Sequence, residues 1–343
     1  NGSLGLYMKK ILIFLLLVST GFAQEPVNFG WSPPSQEQKA LSKDNQYTQQ
    51  LQELVKYNDD SDALIYRFLY QALKDSNQLT QEELDSGRLN SLDQGQYGFC
   101  VAYSGALCID IVSSCDIYVR RENERWVTRA HPIAIYGLGR NDNRGNYDGS
   151  SGSWQTEAYN KYGTLFRLKY ESYDLLSLTD GSVGRQWAAR GMPEELLKQA
   201  TDHKIIACSL VKTIDEAKAA IQNGYPITIC AAASYGNKRN TQGFISLNGR
   251  NWNHSMTVTA YRAKTSGNEG FLIQNSWNND WCGGGIYPED QPHGSFWVTP
   301  KDLLFHLNQD DSYAIAGYNG FKKRNLKWEE LFKIGEKINV EDN

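Results

Sequence analysis

The 343 residues contain no CxxC pair, and the 5 histidines are scattered rather than grouped. That leaves no zinc-ligand spacing, so no metal or cofactor is expected. Asp142, Asp148 and the asparagines between them do not fit a calcium loop of spaced ligands, and a solvated loop is the simpler reading. No run of lysine and arginine interrupts a chain of formal net charge -4, which argues against a nucleic-acid partner. Internal repeats are also lacking. With 40% apolar and 22% charged residues, the chain belongs with globular proteins and not with disordered ones. Its length permits one large domain or two modest ones. Aromatics are what it has in quantity. The 20 Tyr and 9 Trp fit a β-containing core or an aromatic-lined cleft.

The N-terminus carries the parts of a secretory signal. Met8 is followed by Lys9 and Lys10, the apolar run Ile11 to Val18, and then Ser19-Thr20-Gly21-Phe22-Ala23. The apolar run falls short of the roughly 20 residues that a bilayer requires, so no stable membrane insertion is expected. Gly21 and Ala23 place cleavage after Ala23, and a secreted or periplasmic protein is expected. No Cys follows the cut, which argues against a lipid anchor. Residues 1–7 lie upstream of the plausible start and read as a remnant. Export permits disulfides. Of the 6 cysteines (Cys100, Cys108, Cys115, Cys208, Cys230, Cys282), a chemically active free thiol would leave an odd number, which cannot all pair internally.

From Gln24 to about residue 89 the chain is polar and Gln-rich, opening with Trp31-Ser32-Pro33-Pro34. Within it Asp60–Leu73 has one apolar face and reads as a helix, capped by Asp60 or Ser61. Thr80-Gln81-Glu82-Glu83 has the form of a capping box. Cys100–Ser113 is apolar nearly all round and should be a buried central helix. Residues 141–153 are loop-like. Trp154–Tyr162 and Ile214–Asn223 read as helices closed by Gly163 and Gly224. Strand patterns follow at Ile227–Ala231, Ser255–Tyr261 and Phe271–Gln274. Helices first and strands later make an α+β protein with two lobes. After Gly320 a charged tail, predicted helical, offers Trp328, Leu331 and Phe332.

A thiol attacks a carbonyl usefully only as thiolate, and a helix N-terminus favours that negative charge. Cys100 stands where the loop Asp93-Gln94-Gly95-Gln96-Tyr97-Gly98-Phe99 turns into the apolar helix. Cys108 and Cys115 lie further along, where the field is weaker, and read as core thiols about 10 Å apart. A base must come from elsewhere in the chain. His254 follows a turn-like Asn251-Trp252-Asn253, and Asn275 ends an apolar strand. The other histidines, His131, His203, His293 and His306, have no such context.

These segments together resemble the papain-like cysteine peptidases. Asp93 to Ala102 is similar to that family's Gln-Gly…Cys segment, Asn253-His254-Ser255-Met256 to its His segment, and Asn275-Ser276-Trp277 with Trp281 and Gly285 to its Asn-Ser-Trp segment. The three occur in the family's order. Weaker matches are His131 to Tyr136, Gly149 to Trp154 and Gly224 to Ile227. The resemblance spans about residues 90 to 318. It implies a helical lobe and an antiparallel β-barrel-like lobe with the active site in a cleft between them. It also implies Cys100 as nucleophile, His254 as base, Asn275 as the group orienting His254, and Trp277 as a shield over that pair. Gln94 with the Cys100 N–H would form an oxyanion hole. The backbone at Ser150, Ser151 and Gly152 would pair with extended substrate, and Cys230 and Trp252 would line the main specificity pocket, with Trp252 narrowing it. A polypeptide substrate and a monomer are expected.

The sequence departs from the pattern in places. Tyr97 and, approximately, Asp148 stand where the family bridges two cysteines; Val101 replaces a Trp and Cys282 a Gly. No inhibitory pro-region motif is recognisable in residues 24–89, so that segment is either a divergent propeptide or a permanent extension. The peptidase domain is expected over 90–320, the signal over 8–23 and the tail over 321–343. Two alternatives share the residues: a Cys-His amidase acting on cell-wall peptides, and a silent binding protein on the same scaffold. The second has no chemical need for Cys100, Gln94, His254 and Asn275 together.

Overall fold

The helix that begins at Cys100 is apolar on nearly every side, and the rest of the fold covers it. The computed structural model describes residues 27–44, 57–120, 126–205 and 207–317. The signal segment and the charged tail lie outside the described residues.

The helices are α1 (Gln36–Asp44), α2 (Tyr66–Asp75), α3 (Gln81–Ser86), α4 (Cys100–Arg120), α5 (Pro132–Arg140), α6 (Gly152–Lys161), α7 (Gly181–Arg190), α8 (Glu194–Ala200), α9 (Ile214–Gln222) and α10 (Pro300–Leu307). The strands are β1 (Val27–Asn28), β2 (Lys169–Tyr170), β3 (Tyr173–Asp174), β4 (Ala207–Leu210), β5 (Ile227–Tyr235), β6 (Lys238–Arg239), β7 (Leu247–Arg262), β8 (Gly270–Gln274), β9 (Gly283–Gly284), β10 (Ser295–Val298) and β11 (Tyr313–Gly317). Local chemistry explains the helix starts. Thr80 and Thr213 form reciprocal capping boxes with Glu83 and Glu216. Ser151 and Thr299 cap α6 and α10 through their hydroxyls, satisfying N–H groups that a helix leaves unpaired.

The main sheet runs β10-β8-β7-β5-β11-β4, with β1 added to β7. Its pairs are antiparallel except β1–β7, which is parallel. The path ends at β10 and β4, so among the described residues the antiparallel β lobe is not closed into a barrel. Helix α4 packs on β5 and β7 and against α2 and α5, and shares one large core with the sheet. A second core joins Ile133 and Leu138 of α5 with Leu165, Trp187 of α7 and Leu196 of α8. Residues Cys100–Tyr118 are long and apolar enough to cross a membrane, but that stretch is 89% buried inside the protein, as a core helix is.

The helix expected from Asp60 begins instead at Tyr66. Ala63 exchanges backbone hydrogen bonds with Tyr261, 2.8 Å each way, and Asp62 accepts from the Ala263 N–H at 2.8 Å. That pairing holds the backbone extended and overrides the apolar periodicity. The expected helices at Cys100 and Trp154 and the three expected strands are present with longer bounds, and the helix from Ile214 ends one residue earlier, at Gln222. The strand read from Ser255 starts at Leu247, which places His254 inside β7.

Polar groups fix α4 to the sheet. The Ser104 hydroxyl donates to the Met256 carbonyl at 2.7 Å and meets the Thr228 hydroxyl, while Thr257 donates to the Ser104 carbonyl at 3.1 Å. Ser104→Ala leaves two buried groups short of partners and is expected to cost about 1–3 kcal/mol. Urea unfolding should show a lower midpoint at unchanged slope; an unmoved midpoint would mean that the α4–β7 contact does not depend on this hydroxyl.

Candidate active site

Cys100 is the first residue of α4, and its side chain is completely buried. The Cys100 and Val101 amides at the helix start and the Ser255 amide of β7 favour negative charge on its sulfur. His254 sits opposite Ala231 in the β5–β7 register. Asn275 follows the last residue of β8, which neighbours β7. The adjacency of these strands brings the two side chains together: His254 Nε2 donates to Asn275 Oδ1 at 2.7 Å. The same oxygen accepts from the Ser276 N–H at 2.8 Å. Asn275 Oδ1 can only accept, so the proton is on Nε2 and the lone pair on Nδ1. Nδ1 is buried without a hydrogen-bond partner. Trp277 stacks on the imidazole, with ring centres 4.5 Å apart and planes at 24°.

Gln94 is fixed by the same segment. Its N–H donates to the Ser276 carbonyl at 2.9 Å, and its Oε1 accepts from the Ser276 hydroxyl at 2.7 Å. Its Nε2 is therefore free to donate, and it does so to Tyr97 O at 2.9 Å and to Phe29 O at 3.0 Å.

Phe29 belongs to a segment that runs from β7 to Ser150. β1 pairs with Trp252 and Asn253 of β7. The Phe29 N–H donates to the Asn253 carbonyl at 3.0 Å. The Phe29 ring lies 5.5 Å from that of His254 and 4.7 Å from that of Trp277. Gly30 O then accepts from the Ser150 N–H at 2.7 Å, and the Ser32 N–H donates to Ser150 O at 2.8 Å. Trp31 is buried against Cys100, Val101 and Cys230. An extended peptide thus lies between Ser150 on one side and β7 on the other. Its Phe29 carbonyl is held by Gln94.

This cover sets the electrostatics. Burial pushes the Cys100 thiol up to about 12, although the Ser255, Val101 and Cys100 amides pull the other way. Burial also pulls the His254 imidazole down to about 4, against the opposing effect of its bond to Asn275. Between those limits the thiol and the imidazole are both neutral, because burial disfavours each charged form.

The remaining expected site residues divide. Ser150 pairs with extended peptide. Ser151 and Gly152 do not: the Ser151 hydroxyl caps α6, accepting from the Trp154 N–H at 3.2 Å, and the Gly152 N–H donates to Asp311 at 2.8 Å. Cys230 lies with Cys100 and Trp31, its thiol donating to the Ser255 hydroxyl at 3.4 Å. Trp252 instead joins an aromatic group with Phe29, Trp277 and Trp281. None of the six cysteines is in a disulfide. Where the family's bridge would be, Asp148 accepts from the Gly98 N–H at 3.0 Å and pairs with Arg185, whose guanidinium lies over the Tyr97 ring. These polar contacts link the same two loops. His131 caps α5, His306 bonds the Tyr235 hydroxyl at 2.7 Å, and Asp142 pairs with Lys161. No cluster that could hold a metal occurs among the described residues. Sequence reasoning missed Phe29, Trp31 and Asp311, because no local pattern ties them to residues 65 to 280 positions away.

No protein-family model matches the sequence, and no curated protein matches it. Among solved structures the chain is similar to xylellain, a cysteine protease from Xylella fastidiosa, at 16% identity over 85% of this chain and 97% of that one, with a TM-score of 0.50. It is also similar to the procathepsin L2 proteinase from Tenebrio molitor larval midgut (13% identity, 84% and 77% covered, TM-score 0.48) and to procathepsin B S9 from Trypanosoma congolense (13%, 87% and 83%, 0.44). The fold is papain-like.

With its thiol buried and neutral, Cys100 should react with iodoacetamide about tenfold or more slowly than a free thiol at pH 7. Gly30 has φ +121°, and a Cβ there would be driven into the Gly98 backbone. Gly30→Ala should therefore displace the segment and raise Cys100 labelling at least tenfold, read by peptide mapping. Unchanged labelling would show that residues 29–32 do not control access to the sulfur.

Proposed function

We propose that the chain is an exported cysteine peptidase held latent by its own residues 29–32, which hydrolyses polypeptides through an acyl-enzyme on Cys100. The observation that carries this reading is the Phe29 carbonyl on the Gln94 amide beside Cys100: the site already holds a peptide carbonyl on a polarising donor. Latency is supported by the burial of Cys100 against Trp31 and of the His254 ring beside Phe29.

With the segment displaced, water and substrate enter and the penalties on charge fall. The Cys100 proton passes to His254 Nδ1, and the helix N-terminus and the Ser255 amide favour the resulting thiolate. The sulfur attacks the substrate carbonyl carbon. The oxyanion is held by Gln94 Nε2 and the Cys100 N–H. Collapse expels the amine, which takes its proton from His254. Water then attacks the thioester, giving up a proton to the same nitrogen, and the acid and the Cys100 thiol are regenerated. Asn275 keeps Nε2 protonated and the ring in place. Trp277 keeps water off that bond. The Lys9-Lys10 start, short apolar run and Ala23 support export.

The test uses the Gly30→Ala chain on casein and on fluorogenic peptides. Hydrolysis should appear, vanish with Cys100→Ala or His254→Ala, and fall about 10²–10³-fold in kcat with Gln94→Ala. Its pH profile should be bell-shaped, with thiolate lost on the acid side and imidazolium on the alkaline side. Hydrolysis that survives Cys100→Ala, or none once Cys100 has become reactive, overturns the reading. A chain that cuts peptidoglycan peptides but no protein would redirect it to an amidase.

A further inference from the structure

Two neighbouring side-chain amides beneath the His254 site are buried with polar atoms that have no partner among the described residues. Gln274, the last residue of β8, is 2% exposed, and neither its Oε1 nor its Nε2 is hydrogen-bonded. Asn275 uses its Oδ1 twice, for His254 and for the Ser276 N–H, while its buried Nδ2 has no acceptor. Both residues line one small cavity of about 10 Å³, walled by Tyr103, Ser104 and Leu107 of α4 and by Thr257 of β7. The strand register turns Gln274 towards it. Gln274 lies opposite Thr257, whose hydroxyl faces α4 and donates to the Ser104 carbonyl at 3.1 Å, and residues opposite each other in an antiparallel ladder project from the same face.

A cavity of this size admits one water, and a buried water is retained where at least two polar groups can bond it. We propose that Gln274 is a positioning residue for Asn275 and acts through one water bound in this cavity, which accepts from Asn275 Nδ2 and donates to Gln274 Oε1. For its effect on turnover the proposal rests on the peptidase reading above; the water site does not depend on that reading. The oxygen end of the Asn275 amide is already held by two donors, and the water gives its nitrogen end an acceptor. Without that acceptor, a buried N–H donor goes unmet in the one orientation that the His254 bond requires. A rotation of Asn275 that relieved the loss would break that bond. His254 would then lose the acceptor that keeps its proton on Nε2 and leaves Nδ1 open for the Cys100 proton. An apolar side chain at 274 removes the water's own acceptor and so releases Asn275.

Gln274→Met, close in length and without an amide, tests this in two settings. The first is NMR on the full chain and needs no turnover. In the unaltered chain the Asn275 side-chain amide should show cross-relaxation with a long-lived water. Gln274→Met should abolish that signal and bring in the Nδ1–H tautomer of His254, read from the imidazole nitrogen shifts. No water at Asn275 Nδ2, or a tautomer that Gln274→Met leaves unmoved, overturns the proposal. A raised urea midpoint in Gln274→Met also overturns it, since that is the gain expected when a buried amide with no partner is replaced by an apolar chain. The second setting is the Gly30→Ala chain on fluorogenic peptides, where Gln274→Met should lower kcat about tenfold and leave KM unchanged. An unchanged kcat sinks the positioning role while the peptidase reading stands. If the Gly30→Ala chain cuts nothing although Cys100 labels readily, the peptidase reading falls, and the water and tautomer measurements decide the proposal by themselves.

Discussion

Whether water reaches one sulfur and one imidazole governs everything this site can do. Cys100 and His254 lie beneath residues 29–32, and in that buried environment neither carries charge. A thiol at a helix start and an imidazole on a neighbouring strand have every local reason to share a proton as an ion pair. The cover outweighs them, because separating charge in a buried site costs more than the amides of one helix turn return. Under the peptidase reading proposed above, the same fold supplies the reacting thiol and imidazole and the segment that covers them.

The architecture does this economically. One helix start supplies the sulfur, two adjacent strands supply the imidazole and its orienting amide, and the loop before the helix supplies Gln94. Ser276 ties that loop to the segment after β8 that carries Asn275, so Gln94 and the His254-bonded Asn275 are positioned together. The covering peptide adds to an existing strand edge at β7 and to the backbone of Ser150, and needs little structure of its own. Asp148 joins its own loop to the loop before α4 through the Gly98 N–H, and pairs with Arg185 of α7.

Much of this was legible in the residues. The apolar wheel of Cys100–Ser113 and the capping box at Thr80 are local patterns, and local physics realises them. The spacing of Gln94, Cys100, His254 and Asn275 was readable because a family arrangement leaves its mark in order and composition. What sequence could not reach depends on contacts between distant parts. The helix read from Asp60 gave way to a strand-like pairing with Tyr261, whose existence no window around Asp60 reveals. That β10 and β4 end the strand path is a matter of tertiary register. Trp31 looked like part of a proline-bearing entry segment; only the fold brings it to Asp311. Trp252, placed in the pocket by the family resemblance, packs its ring with Phe29, Trp277 and Trp281, contacts that no local pattern reveals.

The pH titration of the His254 imidazole by NMR, in the full chain and in the Gly30→Ala chain, tests the central claim most directly. With residues 29–32 in place the ring should stay neutral with its proton on Nε2 from pH 5 to 8. Once they are displaced, an imidazolium should persist at neutral pH and disappear when Cys100 is replaced by alanine. An imidazolium already present at neutral pH in the unaltered chain would contradict the account.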